Sequence, residues 1–376
     1  MTALYDPDLR RETPLAAKLK ARIRRDGPIS VRDYMAACLA DPEHGYYVAR
    51  DPIGRAGDFI TAPEISQIFG ELIGLWSAVV WQQMGSPPRL ALIELGPGRG
   101  TLMVDALRAT RRVPGFHAAL SVHLVETNER LRASQLSRLT GSGVPMTWHT
   151  QAREFALDTP SIVIGNEFLD TCPVDQALEV GTQHLRRGVD LDAEGRLQFV
   201  PLSHDGTRAG QNAGRERDAR DGAIVETQDF TVLDQLRAAL GQHHVAMLFV
   251  DYGHIGPSTG DTLQAVRGHE SEHPLTSPGE ADLTVQVSFS QIADMARRAT
   301  TAAPGLAVDG PVSQAEFLGR LGIIERASKL MSANPEKAAA VESGVLRLLA
   351  PQGMGGRFKA VGLRSADLPP LPGFAE

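Results

Sequence analysis

Apolar positions in this chain follow two different periods, and the change comes near residue 88. Before it they recur at helical spacing. Val31, Tyr34, Met35, Cys38 and Leu39 follow Ser30-Val-Arg-Asp33, a capping-type start, and Asp41-Pro42 stops the run. Thr61-Ala-Pro63-Glu64 reads as a capping box, with Pro63 tolerated because first-turn amides have no helical partner. The helix it opens is predicted to bury Ile65, Ile68, Phe69, Leu72, Trp76, Val79 and Val80 and to end at Met84-Gly85, ahead of Pro87-Pro88. Between the two helices the chain is rich in Gly, Pro and aromatic residues and has no clear period.

From Leu90 onward short apolar runs alternate with helical patterns. Strands are predicted at Leu90–Leu95, Leu120–Glu126, near 145–148, at Ser161–Gly165 and at Val245–Tyr252, with helices to about Arg112 and over 129–139 between them. Such alternation implies a parallel sheet with right-handed crossovers. The polar interval 178–225, rich in Gly, Asp and Arg, reads as a hairpin insertion with a mobile tip at 204–222. Residues 255–280 look loop-like. Helices near 289–299 and 313–322, two more between 324 and 349, and a closing strand at Arg357–Gly362 complete the chain. The expected organisation is an α/β class with an N-terminal helical region over 1–85 and a core over 86–376, the latter carrying the insertion and a helical addition at about 290–350.

Composition narrows the partners. Lys+Arg 38 against Asp+Glu 45 gives a formal charge of −7, which supplies no whole-chain basic field for nucleic acid. No stretch reaches the ~18 uncharged apolar residues of a membrane span. The two cysteines, Cys38 and Cys172, have no metal or redox spacing and suit buried structural thiols in a reducing compartment. The N-terminus shows neither an apolar signal core nor the acid-poor character of a transit peptide, so a cytoplasmic location is expected.

The chemistry starts at ELGPGRGTL, residues 94–102, between an apolar run and a helical one. A phosphate loop ends in Gly-Lys-Ser/Thr, and here Thr101 and Leu102 follow Gly100. A dinucleotide turn needs Gly-x-Gly-x-x-Gly, and here the third glycine comes one residue early with Arg99 inside the turn, which leaves NAD as an outsider. Glu94, two residues before Gly96, would repel a pyrophosphate but suits a cation. S-adenosylmethionine carries an ammonium and a sulfonium and no phosphate. Gly96, Gly98 and Gly100 would let the backbone approach it closely.

Downstream residues extend this reading. Glu126 ends the second strand, where an acid accepts ribose hydroxyls in nucleotide-type sheets. Trp148, ending the third, is placed either to flank the adenine or as a core tryptophan. Asn166 and Glu167 end the fourth strand, at the ligand crevice of such a sheet. A carboxylate there could accept guanidinium N–H bonds and orient an acceptor, with Glu167 the first candidate and Asp170 the second. Asp170 also suits a helix N-terminus. His44, Tyr46 and Tyr47 suit an acceptor channel or packing of the helical region. The histidines at 254, 269 and 273 are irregularly spaced and propose no metal.

Several of these segments together resemble one family. GDFITAPEISQIFGE (57–71) and ELGPGRGTL (94–102) are followed in order by NEFLD (166–170) with Pro173-Val174, DYGH (251–254), GEADLT (279–284) and FLG (317–319). They are similar to the MidA-like class I methyltransferases that use S-adenosylmethionine, a family that includes a mitochondrial complex I assembly factor acting on protein arginine. The resemblance runs from about residue 15 to 363. It implies a seven-stranded Rossmann-like core, S-adenosylmethionine as cofactor, and a protein acceptor of the respiratory complex I subunit type. It places Gly96, Gly98, Gly100 and Glu126 at the cofactor and the Gly57–Glu64 loop, with Asp58 and Thr61, over the site. The family commonly has Ala-His or similar where this chain has Gly165-Asn166, and the absence of an import segment points to a bacterial member. A small-molecule methyltransferase and a cofactor-binding assembly chaperone without turnover stay open beside the arginine reading.

Overall fold

The computed structural model describes residues 6–49, 61–155, 157–180, 183–203, 206–208, 223–240, 242–256, 260–298 and 305–374. Seven strands in chain order build its main sheet: β1 (Leu90–Leu95), β2 (Leu120–Val125), β3 (Met146–His149), β4 (Ser161–Asn166), β5 (Val245–His254), β6 (Ala307–Ser313) and β7 (Phe358–Arg364). Across the sheet they run β6-β7-β5-β4-β1-β2-β3, and the short strand Val287–Ser288 adds in parallel to the end of β5. The pairs among β1 to β5 are parallel, and β7 enters antiparallel between β5 and β6.

This order puts β1 and β4 side by side at the centre with β2 on the other flank of β1. Their carboxyl ends therefore open into one crevice at the point where the strand order reverses, the usual ligand position in such sheets. Every side chain of β1 is buried, as a strand covered on both faces requires. One apolar layer includes Ile68, Phe69, Trp76, Leu102, Met103 and Leu248, and the other includes Ile93, Val163, Leu233, Phe249, Phe289 and Ile292.

The residues before 86 go to two places. Pro14–Asp26 and Val31–Ala40 form a separate apolar cluster with Val174, Val189, Leu197 and the segment around Leu283. Gln67–Gln83 packs in the main core instead. The insertion is an antiparallel sheet of Val174–Val180, Gln183–Leu191, Leu197–Leu202 and Ile224–Gln228, to which Ile29–Ser30 adds an edge. It starts earlier than the expected hairpin because Val174 and its neighbours already pair with Ile224–Gln228. Most of the expected mobile tip, 204–222, lies outside the described residues.

Three sequence expectations are corrected. The capping box at Thr61 does not form: Thr61 makes no side-chain cap bond, and a single turn, Ala62–Ile65, gives way at extended Ser66 to the long helix, which Ser66 caps. Glu64 bonds the Thr101 hydroxyl instead of its own helix start. Val79 points outward at 43% exposure. Residues 255–280 are not all loop, since Gln264–Arg267 and Glu270–Glu272 join Asp282–Thr284 in a three-stranded sheet. Both cysteines are buried free thiols. Among the described residues no helix is long and apolar enough to cross a membrane.

Candidate active site

At the end of β1 the chain turns through three left-handed residues, Gly96, Gly98 and Gly100, at φ 60, 53 and 76°. Side chains rarely adopt that region, so the alternating glycines are a backbone requirement. Gly100 then heads the helix Thr101–Thr110. A Cβ on Gly96 would meet little but the Phe168 ring at 3.1 Å, so the turn leaves bare backbone at the crevice. Beside it Glu94 is 4% exposed, and its Oε2 has no hydrogen-bond partner among the described residues. Burial, reinforced by the neighbouring Glu126, pushes its carboxyl up to about 8.

Glu126 stands at the end of β2 and is held from two sides. Its Oε1 accepts the Asn128 amide at 2.9 Å, and its Oε2 accepts Gln135 Nε2 at 3.2 Å. The same Gln135 nitrogen donates to the Gly98 carbonyl at 2.6 Å, so one amide side chain fastens the glycine turn to the second acid. Trp148 does not line the cavity; its indole donates to Gln135 Oε1 at 2.8 Å and its ring packs against the core. Burial raises Glu126 above the usual carboxylate range, with the Asn128 and Gln135 bonds opposing it.

The end of β4 is strained. Glu167 has φ 51°, a conformation that costs energy in a residue with a side chain and marks functional positions when the surroundings hold it. What holds it is Asp251, whose Oδ2 accepts the backbone N–H groups of Phe168, Leu169 and Asp170 at 3.0, 2.8 and 3.2 Å. Glu167 Oε1 accepts the Ala62 amide at 2.9 Å and Asn166 Nδ2 at 3.2 Å. Its Oε2 takes no donor among the described residues. Burial lifts Glu167 to about 7 against those two bonds. Asn166 Oδ1 is buried without a hydrogen-bond partner among the described residues. Burial raises Asp170 well above the usual range, with repulsion from Asp251, Asp282 and Glu167 adding to it, and burial with repulsion from Glu167 raises Asp251 to about 8. The amides on Asp251 make it the one that carries charge first.

The turn Ala62–Ile65 closes the crevice from above. Its Ala62 amide reaches Glu167, and Glu64 reaches the Thr101 hydroxyl at the head of the glycine-turn helix. The resulting cavity is lined by Thr61, Glu94, Gly96, Gly98, Asn166 and Glu167 from the predicted set, together with Pro63, Glu64, Pro97, Arg99, Thr101 and Leu102. Gly100, Glu126 and Asp170 lie outside that lining. Asp58 falls outside the described residues. Asn128, Gln135 and Asp251 were not singled out as site residues from sequence, since each acts by contacting something far away in the chain.

A family described as "Putative S-adenosyl-L-methionine-dependent methyltransferase" matches residues 72–308. The chain belongs to that methyltransferase family. The methyltransferase is 35% identical over 368 residues to the mitochondrial protein arginine methyltransferase NDUFAF7 of Danio rerio, covering 91% of this chain and 84% of the relative. It is 33% identical over 375 residues to the human protein of that name, covering 92% and 82%. Its fold superposes on a crystal structure from Burkholderia thailandensis bound to S-adenosyl-homocysteine with a TM-score of 0.81, at 26% identity and 98% coverage of each chain.

S-adenosylmethionine is therefore the methyl donor, and the NAD outsider falls away. The residues present fit it. The bare glycine backbone, the unpartnered Glu94 and Asn166 oxygens and a second acid at Glu126 offer acceptors and close approach. The lining carries the carboxylates of Glu64, Glu94 and Glu167 against one basic side chain, Arg99, a balance that suits a cationic ligand.

Proposed function

We propose that this methyltransferase modifies an arginine side chain of a protein, and that Glu167 orients the guanidinium. The reading is carried by Glu167 itself: a half-buried carboxylate, beside the glycine turn, in a strained backbone conformation, with one oxygen unclaimed and no salt bridge to a basic residue among the described residues. The relatives named as protein arginine methyltransferases support the acceptor class. The family resemblance of the sequence motifs further points to a subunit of respiratory complex I as the protein modified.

When bound, S-adenosylmethionine supplies a methyl group on a sulfonium that departs as a neutral thioether. Gly96 and Gly98 with Glu94 and Asn166 would hold its methionyl part, and Glu126 its ribose. Thr61 and Pro63 line the same cavity, and displacing water from it on binding would strengthen every charge interaction inside. Glu167 does the acceptor's share. A guanidinium is planar, protonated and a poor nucleophile. Accepting one of its N–H bonds on Oε2 localises positive charge at that edge and leaves lone-pair density on the nitrogen to be methylated. As that nitrogen forms its new C–N bond it sheds a proton, and a carboxylate balanced near neutrality can take it and pass it to solvent.

The test is transfer of labelled methyl to protein, with the product residue identified by mass spectrometry after digestion. The expected result is methylarginine from wild type and a loss of at least ~100-fold in Glu167→Gln with S-adenosylhomocysteine affinity unchanged. Methylation of another residue type would overturn the acceptor class. Full activity in the Gln variant would overturn the role of Glu167. Ligand binding without any transfer would favour the assembly role.

A further inference from the structure

The charged side chains that line the cavity are not engaged alike. Glu64 bonds the Thr101 hydroxyl, and Glu167 accepts the Ala62 amide and Asn166 Nδ2. Glu94 and the Arg99 guanidinium have no hydrogen-bond or ion-pair partner among the described residues, and they do not pair with each other. In the chain they stand on opposite sides of Gly96-Pro97-Gly98, the turn that forms the cavity floor. Directly after Arg99 comes Gly100, the N-cap of Thr101–Thr110, which has no side chain to bond the first-turn amides. Thr101 and Leu102 line the same cavity, and neither amide donates a hydrogen bond among the described residues. Negative character thus gathers before the turn, at Glu94, and positive character after it, at Arg99 and an uncapped helix end.

Other arginines near the turn are committed elsewhere. Arg108 and Arg326 bond Glu71, Arg132 bonds the Glu126 carbonyl, and Arg138 bonds the Thr101 hydroxyl. Arg99 is the basic side chain of the cavity lining, and left bare it would repel both a sulfonium and a cationic acceptor. Its place there calls for an anion. Two unclaimed charges of opposite sign in one cavity suit a ligand that carries both, and an α-amino acid end does so on a single carbon. The methionyl part of S-adenosylmethionine is such an end.

We propose that Arg99, backed by the Thr101 and Leu102 amides, anchors the methionyl carboxylate of the cofactor, while Glu94 and Asn166 take the ammonium on the same carbon. A guanidinium fork can hold both oxygens of a carboxylate at once, which a lysine cannot. Arg99 then determines specificity for the donor. A nucleoside that has lost only the carboxylate keeps the adenosine, the sulfur and the ammonium, yet leaves Arg99 uncompensated. Covering Arg99 also removes that repulsion before a cationic acceptor enters. The inference rests on the cofactor alone and is independent of which residue is methylated.

The experiment is calorimetric titration of the full chain with S-adenosylhomocysteine and with its decarboxylated counterpart, the same thioether nucleoside carrying a plain aminopropyl chain. Wild type is expected to bind the carboxylate-bearing ligand about 20-fold more tightly. Arg99→Gln is expected to lose about 20-fold for S-adenosylhomocysteine and to stay within about threefold for the decarboxylated ligand, so that the preference nearly vanishes. Arg99→Lys, which keeps the charge without the fork, should fall between the two. Comparable binding of both ligands by wild type overturns the proposal, whatever the variants do. A preference that persists in Arg99→Gln assigns the carboxylate to the helix amides and overturns the role of Arg99. Equal weakening of both ligands in that variant also overturns it, since the side chain would then support the turn and not the carboxylate. If Arg99→Gln fails to fold, the wild-type comparison and the Lys variant decide.

Discussion

Glu94 and Glu167 show what burial does to a single carboxyl. The folded protein holds Glu94 protonated up to about 8, where an unfolded chain has lost that proton from 4.5 upward. A raised acid stabilises the folded state fully below its unfolded value, and that contribution is lost as pH climbs toward the folded one. The ligand-free protein is therefore expected to lose about 1–3 kcal/mol of stability between pH 5 and 8. Urea unfolding across that range checks it, and Glu94→Gln should flatten the slope while weakening S-adenosylhomocysteine binding. Glu167 gives a rate effect instead. Because it ionises only near 7, kcat/KM for the acceptor should rise about tenfold per pH unit below that value and level off above it. A pH–rate profile that persists unchanged in Glu167→Gln would assign the ionisation elsewhere.

At the scale of elements, the site depends on where helices stop. The break at Ser66 separates one turn from a long helix, which frees Glu64 to bond Thr101 and aims the Ala62 amide at Glu167. Thr101→Val removes the Glu64 tie, and S-adenosylhomocysteine affinity should fall about 3- to 10-fold by calorimetry with little change in Tm. Elements buried on both faces were legible in the sequence. The runs of β1, β2, β4 and β5 are apolar, and the glycine turn after β1 has no other use for three alternating glycines. β6 was not legible, because Ala307–Ser313 is a half-buried edge strand with Gly310-Pro311 inside it and a register shift between Asp309 and Val312. The sheet at 264–284 escaped for a related reason: its strands are three or four residues long and carry Arg267, Glu270 and Glu272. Of the site, residues next to the glycines or at strand ends could be named. Gln135, Asn128 and Asp251 could not, since Gln135 reaches Gly98, the Asn128 side chain reaches Tyr47 and Asp251 reaches Phe168, all far off in sequence, and an Asn or Gln carries no signal until the fold supplies an acceptor.

At the scale of the whole molecule, distant parts of the chain meet beyond Glu167: Tyr47 on Asp282, Tyr252 on Thr284, and the Val285 amide on Asp170. Gly279 sets their spacing. It has φ 75°, and a Cβ there would land 2.3 Å from the His44 carbonyl, so the segment leading to Tyr47 can lie against GEADLT only without a side chain at that point. Gly279→Ala is expected to raise the acceptor KM about tenfold while leaving S-adenosylhomocysteine affinity within threefold, since the glycine turn makes no use of this contact. Equal losses in both would mean that the segment also supports the cofactor. Two bonds from one residue tie this region to the cofactor side. Asn128 gives its amide to Glu126 and its side chain to the Tyr47 carbonyl, so the Tyr47 segment hangs from the acid expected at the ribose. A tie of this kind couples the two ligands: acceptor affinity is expected to rise when S-adenosylhomocysteine saturates the protein and Asn128→Ala to remove that rise, which calorimetry with and without the nucleoside checks.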